Sequence, residues 1–187
     1  MKEILTVIKA DPERIEQETK EKEANIEDEQ LYTFQEPRRI NFRKVKRHVL
    51  NSFIETNKIQ GFLFYEQVTF SKNYATVDPI STLTPIFDVY IETESTEIFI
   101  EVKLQRVVNS REQLYSRLIA LYHYREAKKV KAYLQLILVE LPEDEKMGRI
   151  RNTEERIRDI FEPAIEKKLL KIKYVKLTSA ETKGLYR

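Results

Sequence analysis

PIFDVYIETESTEIFIEVKLQ, residues 85–105, is the stretch on which the reading of this chain turns. Two apolar runs, 86–92 and 97–104, flank the polar step Glu94–Ser95, the pattern of two strands joined by a tight turn. A turn centred there pairs Thr93 with Thr96 and Asp88 with Glu101. Directly opposed residues of an antiparallel pair share a face, with Cβ atoms about 4.5–5.5 Å apart, so two carboxylates are expected to meet. Lys103, two residues beyond Glu101, joins them by alternation, while Ile98, Ile100 and Val102 point the other way into the core. Opposed like charges in a sheet are destabilising, and a divalent cation between them would remove the conflict. Mg²⁺ suits such a site, with Mn²⁺ as a substitute. On this reading, removing one carboxylate leaves the metal-free protein as stable as before or slightly more so.

Outward from the hairpin, the pattern alternates between helix and strand. Phe42, Val45, Val49, Leu50, Phe53 and Ile54 recur at helical spacing and predict an amphipathic helix from Asn41 to about Thr56. GFLFYEQVTF (61–70) is aromatic and β-branched, as a strand should be. After Asn109 and Ser110, an N-cap signal, Leu114, Leu118 and Leu121 line one face of a second helix. AYLQLILVEL (132–141) is almost continuously apolar, which suits a strand buried on both faces and ended by Pro142. A charged helix at about 152–170, interrupted by Pro163, leads into KIKYVKLT, whose alternation suggests an edge strand. Asp11 and Pro12 cap a charged segment, 12–30, with only Ile15 and Ile26 strongly apolar. Residues 1–36 therefore read as a charged helical or flexible N-terminal arm outside the core, and 37–187 as one domain. The expected class is α/β (α+β): a mixed central sheet flanked by helices in the order α-β-β-β-α-β, with a C-terminal helix and strand appended.

Composition narrows the partners. The chain has 187 residues, 41% of them hydrophobic, enough for a core of its own. Its 33 basic and 31 acidic residues nearly cancel, so only local clustering speaks to a polyanionic partner. Cysteine is absent, which removes disulfides, thiolate metal sites and cysteine nucleophiles together. No apolar run is long enough for a signal peptide or a membrane span, so a cytoplasmic protein without a membrane partner is expected.

Asp88, twelve intervening residues, and then Glu101-Val102-Lys103 resemble, in order, spacing and strand context, the signature of the PD-(D/E)XK nuclease superfamily. The order of elements from 41 to 141 is similar to the core of that restriction-endonuclease-like fold, and a Holliday-junction-resolvase-like branch fits as well. The resemblance implies a metal-dependent endonuclease that hydrolyses DNA phosphodiester bonds without a nucleotide cofactor. Asp88, Glu101 and the backbone carbonyl of Val102 would bind Mg²⁺, and Lys103 would assist the nucleophile. A homodimer would supply two sites for two strands. Many members add a Glu from the first helix. Here that helix has only Glu55, on its polar side, which leaves Glu66 on the next strand as the substitute. Some branches pair a Gln with a Tyr four residues on. Gln113 is present as an accessory candidate, but Arg117 stands in the Tyr position. Pro85 lies three residues before Asp88 rather than beside it.

Other readings stand beside this one. Glu-x-Lys occurs five times in so charged a chain, and a sheet face decorated with solvated charges would explain it. Arg38, Arg39, Arg43, Lys44, Lys46 and Arg47 form the densest basic cluster, a phosphate-contact patch or a solvated helix face. His48 and His123 are too far apart for a metal site and read as helix-surface residues. The alternatives to an enzyme are a catalytically inactive nuclease-fold module that binds DNA or a protein partner, and an interaction protein that assembles through its charged arm.

Overall fold

Thr93 and Thr96 close the central hairpin. The Thr93 N–H donates to the Thr96 carbonyl at 2.9 Å, and the Thr96 N–H donates to Thr93 Oγ1 at 3.1 Å, leaving Glu94 and Ser95 as the loop. The computed structural model describes residues 6–20, 41–60, 63–71, 84–104, 110–142 and 153–185. Its strands are β1 (Val7–Lys9), β2 (Leu63–Phe70), β3 (Phe87–Glu92), β4 (Glu97–Leu104), β5 (Ala132–Glu140) and β6 (Leu170–Lys176). Its helices are α1 (12–20), α2 (Phe42–Thr56), α3 (Ser110–Lys128), α4 (Thr153–Ile160), α5 (Glu162–Glu166) and α6 (Ser179–Thr182). The strands form one sheet in chain order, antiparallel from β1 to β4 and parallel from β4 to β6. The hairpin has the expected register: Glu92 faces Glu97, Tyr90 faces Phe99 and Val89 faces Ile100. Among the described residues, no helix is long and apolar enough to cross a membrane.

Helices cover both faces of this sheet, which is why β5 reads as a nearly unbroken apolar run. On one face, Phe42, Val45, Val49, Leu50 and Phe53 of α2 pack on Val89, Ile91, Ile98, Ile100 and Val102. Asn41 starts that helix, its side chain accepting the Lys44 N–H at 3.3 Å. On the other face, Leu114, Leu118, Leu121 and Tyr124 of α3 meet Phe70, Phe87, Phe99 and Leu136. Phe99 is the hub of this layer, with ring centroids 4.8 Å from Phe87, 5.0 Å from Tyr90 and 5.8 Å from Tyr124. The charged helix expected at 152–170 breaks at Phe161, and Pro163 falls in the first turn of α5. β6 is an edge strand, with Lys171 folded over the Tyr133 ring at 4.1 Å.

The N-terminal segment departs from the arm expected outside the core. β1 pairs with Val68–Phe70 of β2, a non-local contact that three residues of sequence do not announce. Asp11 then caps α1, its Oδ1 accepting the Glu13 N–H at 2.9 Å, and the Arg14 guanidinium donates to the Thr84 carbonyl. Residues 21–36 of the expected arm lie outside the described residues.

At the hairpin's closed end, Glu97 is buried and accepts two short bonds on one oxygen, from the Tyr90 and Tyr124 hydroxyls, each at 2.6 Å. Lys128 Nζ donates in turn to the Tyr124 hydroxyl at 3.1 Å, so this cluster ties the last turns of α3 to the sheet. Burial first, and the Glu97 carboxylate second, push both phenols well above the ordinary range for tyrosine. A raised folded-state value favours the neutral phenol. The stability it contributes is therefore complete below the unfolded value of about 10 and is lost as pH climbs beyond it. Tyrosinate absorbance is expected to show two tyrosines ionising only together with alkaline unfolding. Tyr124→Phe, which removes one donor from a buried carboxylate, should cost about 1–3 kcal/mol in urea unfolding.

Candidate active site

The other end of the same hairpin opens. Pairing between β3 and β4 stops at Val89 and Ile100, although both strands continue. Pairing between β2 and β3 passes from Glu66–Val89 to Val68–Phe87 and skips the level of Asp88, where Gln67 takes a left-handed φ of 51°. Backbone groups freed there need partners, since buried amides are costly when unpaired. The carboxylates supply them. Val102 N–H donates to Asp88 Oδ2 at 2.9 Å, and Asp88 N–H donates to Glu101 Oε1 at 3.1 Å. Both acids are thereby drawn into the splayed ladder, with Asp88 3% exposed and Glu101 0%.

Buried charge at this density requires compensation. Lys46 Nζ of α2 donates to Asp88 Oδ1 at 2.9 Å. Arg117 Nε of α3 lies 3.1 Å from Glu101 Oε1, forming a buried ion pair. The same guanidinium donates to the Ile86 carbonyl at 3.0 Å, to the Gln113 carbonyl at 3.3 Å and to Glu18 of α1 at 3.4 Å. Burial alone would depress its charge, but Glu101, Glu18 and Asp88 outweigh it and hold the Arg117 pKa above its ordinary value. Lys103, 7% exposed, donates from Nζ to Gln113 Oε1 at 2.9 Å. Among the described residues, the cluster holds three carboxylates (Asp88, Glu101, Glu18) and three cations (Lys46, Lys103, Arg117).

The face that carries Asp88, Glu101 and Lys103 is not a solvated surface, because α3 and its neighbours close over it. Lys46 and Arg117 bring counter-charge to the two carboxylates. Both partners come from helices remote in sequence, so hairpin geometry alone could not supply them. Gln113 joins the site through Lys103. Glu66 does not: it faces Val89, one residue out of phase with Asp88, and is exposed. Arg43, Lys44 and Arg47 are exposed on α2, with Lys44 Nζ 3.3 Å from the Gly184 carbonyl. Arg38 and Arg39 lie outside the described residues. Lys46 turns inward from the same basic run. His48 pairs with Glu181 at 3.1 Å on the surface, apart from the cluster. Arg117 and Glu18 complete the cluster although neither is among the site residues expected from the sequence. Arg117 did carry a signal, as a polar residue on the apolar stripe that contains Leu114, Leu118 and Leu121; Glu18 carried none.

As a metal site, Asp88 and Glu101 offer donors of the type Mg²⁺ accepts, which binds through one or two carboxylates and completes its shell with water and phosphate oxygens. The Val102 side chain packs in the α2 layer, and its N–H is committed to Asp88. Among the described residues, no group of three or more His, Cys, Asp or Glu is placed to hold a metal. The donor type therefore fits, but a cation would share its oxygens with Lys46 and Arg117. No protein-family model, curated protein or solved structure matches the chain.

The ladder geometry reverses the stability effect expected from relieving like-charge repulsion. Asp88→Ala leaves Val102 N–H without its acceptor and Lys46 without its anion, and should cost about 1–3 kcal/mol in urea unfolding without metal. Asp88→Asn, which keeps an acceptor oxygen, should cost less. A stability equal to wild type for Asp88→Ala would restore the repulsion picture.

Proposed function

We propose that the protein is a metal-dependent nuclease of the PD-(D/E)XK type that hydrolyses DNA phosphodiester bonds. The observation that carries this reading is the convergence of Asp88, Glu101 and Lys103, buried together where β3 and β4 part. Charged side chains held out of water against their solvation are a mark of functional sites. The α-β-β-β-α-β order of α2, β2, β3, β4, α3 and β5 is consistent with a restriction-endonuclease-like core. Asp88, Glu101 and the Val102 carbonyl would hold Mg²⁺ or Mn²⁺, which supplies Lewis-acid stabilisation and a more acidic bound water. The Lys103 ammonium, steadied by Gln113 Oε1, would orient the attacking water or stabilise charge developing on the phosphate. Arg43, Lys44 and Arg47, exposed on the helix that delivers Lys46 to Asp88, would contact the DNA backbone. Cutting both strands of a duplex calls for two such sites, hence a homodimer.

One observation favours a second reading. Lys46 and Arg117 already compensate both carboxylates, as they would in a nuclease-fold module that binds nucleic acid without cutting it.

Cleavage of duplex, branched and single-stranded DNAs in Mg²⁺ or Mn²⁺ against EDTA separates the two. Wild type should cut at least one substrate only with metal. Glu101→Gln should abolish cutting, and Lys103→Ala should slow it about 10²–10³-fold, in line with loss of one charge-stabilising donor. Folded, metal-loaded protein that binds DNA but cuts none of it would select the second reading. In either case Arg43→Ala with Arg47→Ala should weaken DNA binding and lower the slope of log affinity against log salt by about 2, one unit per lost phosphate contact. An unchanged slope would return these residues to a solvated surface.

A further inference from the structure

We infer that Arg117 is a positioning residue that makes divalent metal and nucleic-acid phosphate bind as a coupled pair, so that neither is held tightly alone. The inference rests on the nuclease reading and goes beyond it. Glu101 is fully enclosed, and the guanidinium against it is 4% exposed and anchored from several sides, by the Ile86 and Gln113 carbonyls and by Glu18. Such a group is not displaced simply by an ion arriving in solution. Asp88 has its own cation, Lys46, whose side chain is 15% exposed. The described side chains of the cluster, three carboxylates and three cations, sum to no net negative charge that would draw in a dication.

A divalent ion added alone leaves two uncompensated positive charges in a poorly solvated place, where Coulomb terms are strong. Each phosphodiester brought beside it returns one negative charge. Metal therefore favours phosphate, and by reciprocity phosphate favours metal, with a coupling in the usual range of about 5–150-fold. Sequence specificity plays no part in this. The ligand chemistry is a dication with a phosphodiester backbone.

Mn²⁺ binding read by electron paramagnetic resonance tests it, on the full chain, with and without a short DNA duplex and with the same duplex built from neutral methylphosphonate linkages. Wild type should bind Mn²⁺ weakly alone, at least about 5-fold more tightly with the charged duplex, and no better with the neutral one. Arg117→Met removes one positive charge, so its Mn²⁺ affinity without DNA should rise and its dependence on DNA should shrink. Arg117→Lys should restore wild-type behaviour. If Arg117→Met does not fold, Arg117→Gln, which is uncharged but keeps an amide donor for the surrounding carbonyls, carries the same expectation. Mn²⁺ affinity and DNA dependence unchanged from wild type in a folded, uncharged variant would overturn the role of Arg117. Equal Mn²⁺ affinity with and without charged duplex, alongside intact metal-dependent cleavage, would overturn this inference and leave the nuclease reading standing. No Mn²⁺ bound under any condition, by a protein that still binds DNA, would overturn both.

Discussion

Glu101 lies fully enclosed at the point where β3 and β4 separate, and the surrounding structure is arranged around keeping a charge there. A carboxylate out of water needs donors and a counter-charge, because desolvation otherwise shifts it to the neutral acid or unfolds its surroundings. Asp88 N–H supplies a donor from the adjacent strand, and Arg117 supplies the charge from α3. Arg117 in turn must be satisfied, which involves the chain at Ile86, Gln113 and Glu18. One buried acid thus links the hairpin, the covering helix and the N-terminal helix α1.

β4 carries a second buried acid on the same face, four residues earlier, and the two are treated differently. Glu97 receives two neutral phenol donors on one oxygen and sits where the hairpin is closed. That arrangement fastens α3 to the sheet. Glu101 receives cationic neighbours and sits where the ladder opens, beside Lys103 and Gln113. Neutral donors hold a charge in place without offering it to a ligand, whereas cations balance it in a way that another cation and an anion together can rearrange. The functional reading belongs to the open end for this reason.

The open end also depends on backbone irregularity. Gln67 in a left-handed conformation interrupts the β2–β3 pairing at the level of Asp88, and the β3–β4 pairing ends one residue away. A regular ladder would have spent the Val102 N–H on its neighbour strand. Here that N–H holds the Asp88 carboxylate, so strand geometry and site chemistry are the same feature.

Most of the scaffold was legible in the sequence. The polar Glu94–Ser95 step set the hairpin register, apolar spacing located α2 and α3, the unbroken run at 132–140 marked a strand covered on both faces, and alternating lysines marked β6 as an edge. These are local patterns, in which each residue's neighbours along the chain carry the signal. The meeting of Asp88, Glu101 and Lys103 on one face followed from the same register. Tertiary structure alone decided that this face is buried, that β1 completes the sheet, and that Lys46, Arg117 and Glu18 converge on the acids. Lys46 lies 42 residues from Asp88, and Glu18 lies 99 from Arg117. Contacts across such separations leave no periodicity in the chain, because they are selected by charge compensation in the folded interior rather than by the conformation of any one segment.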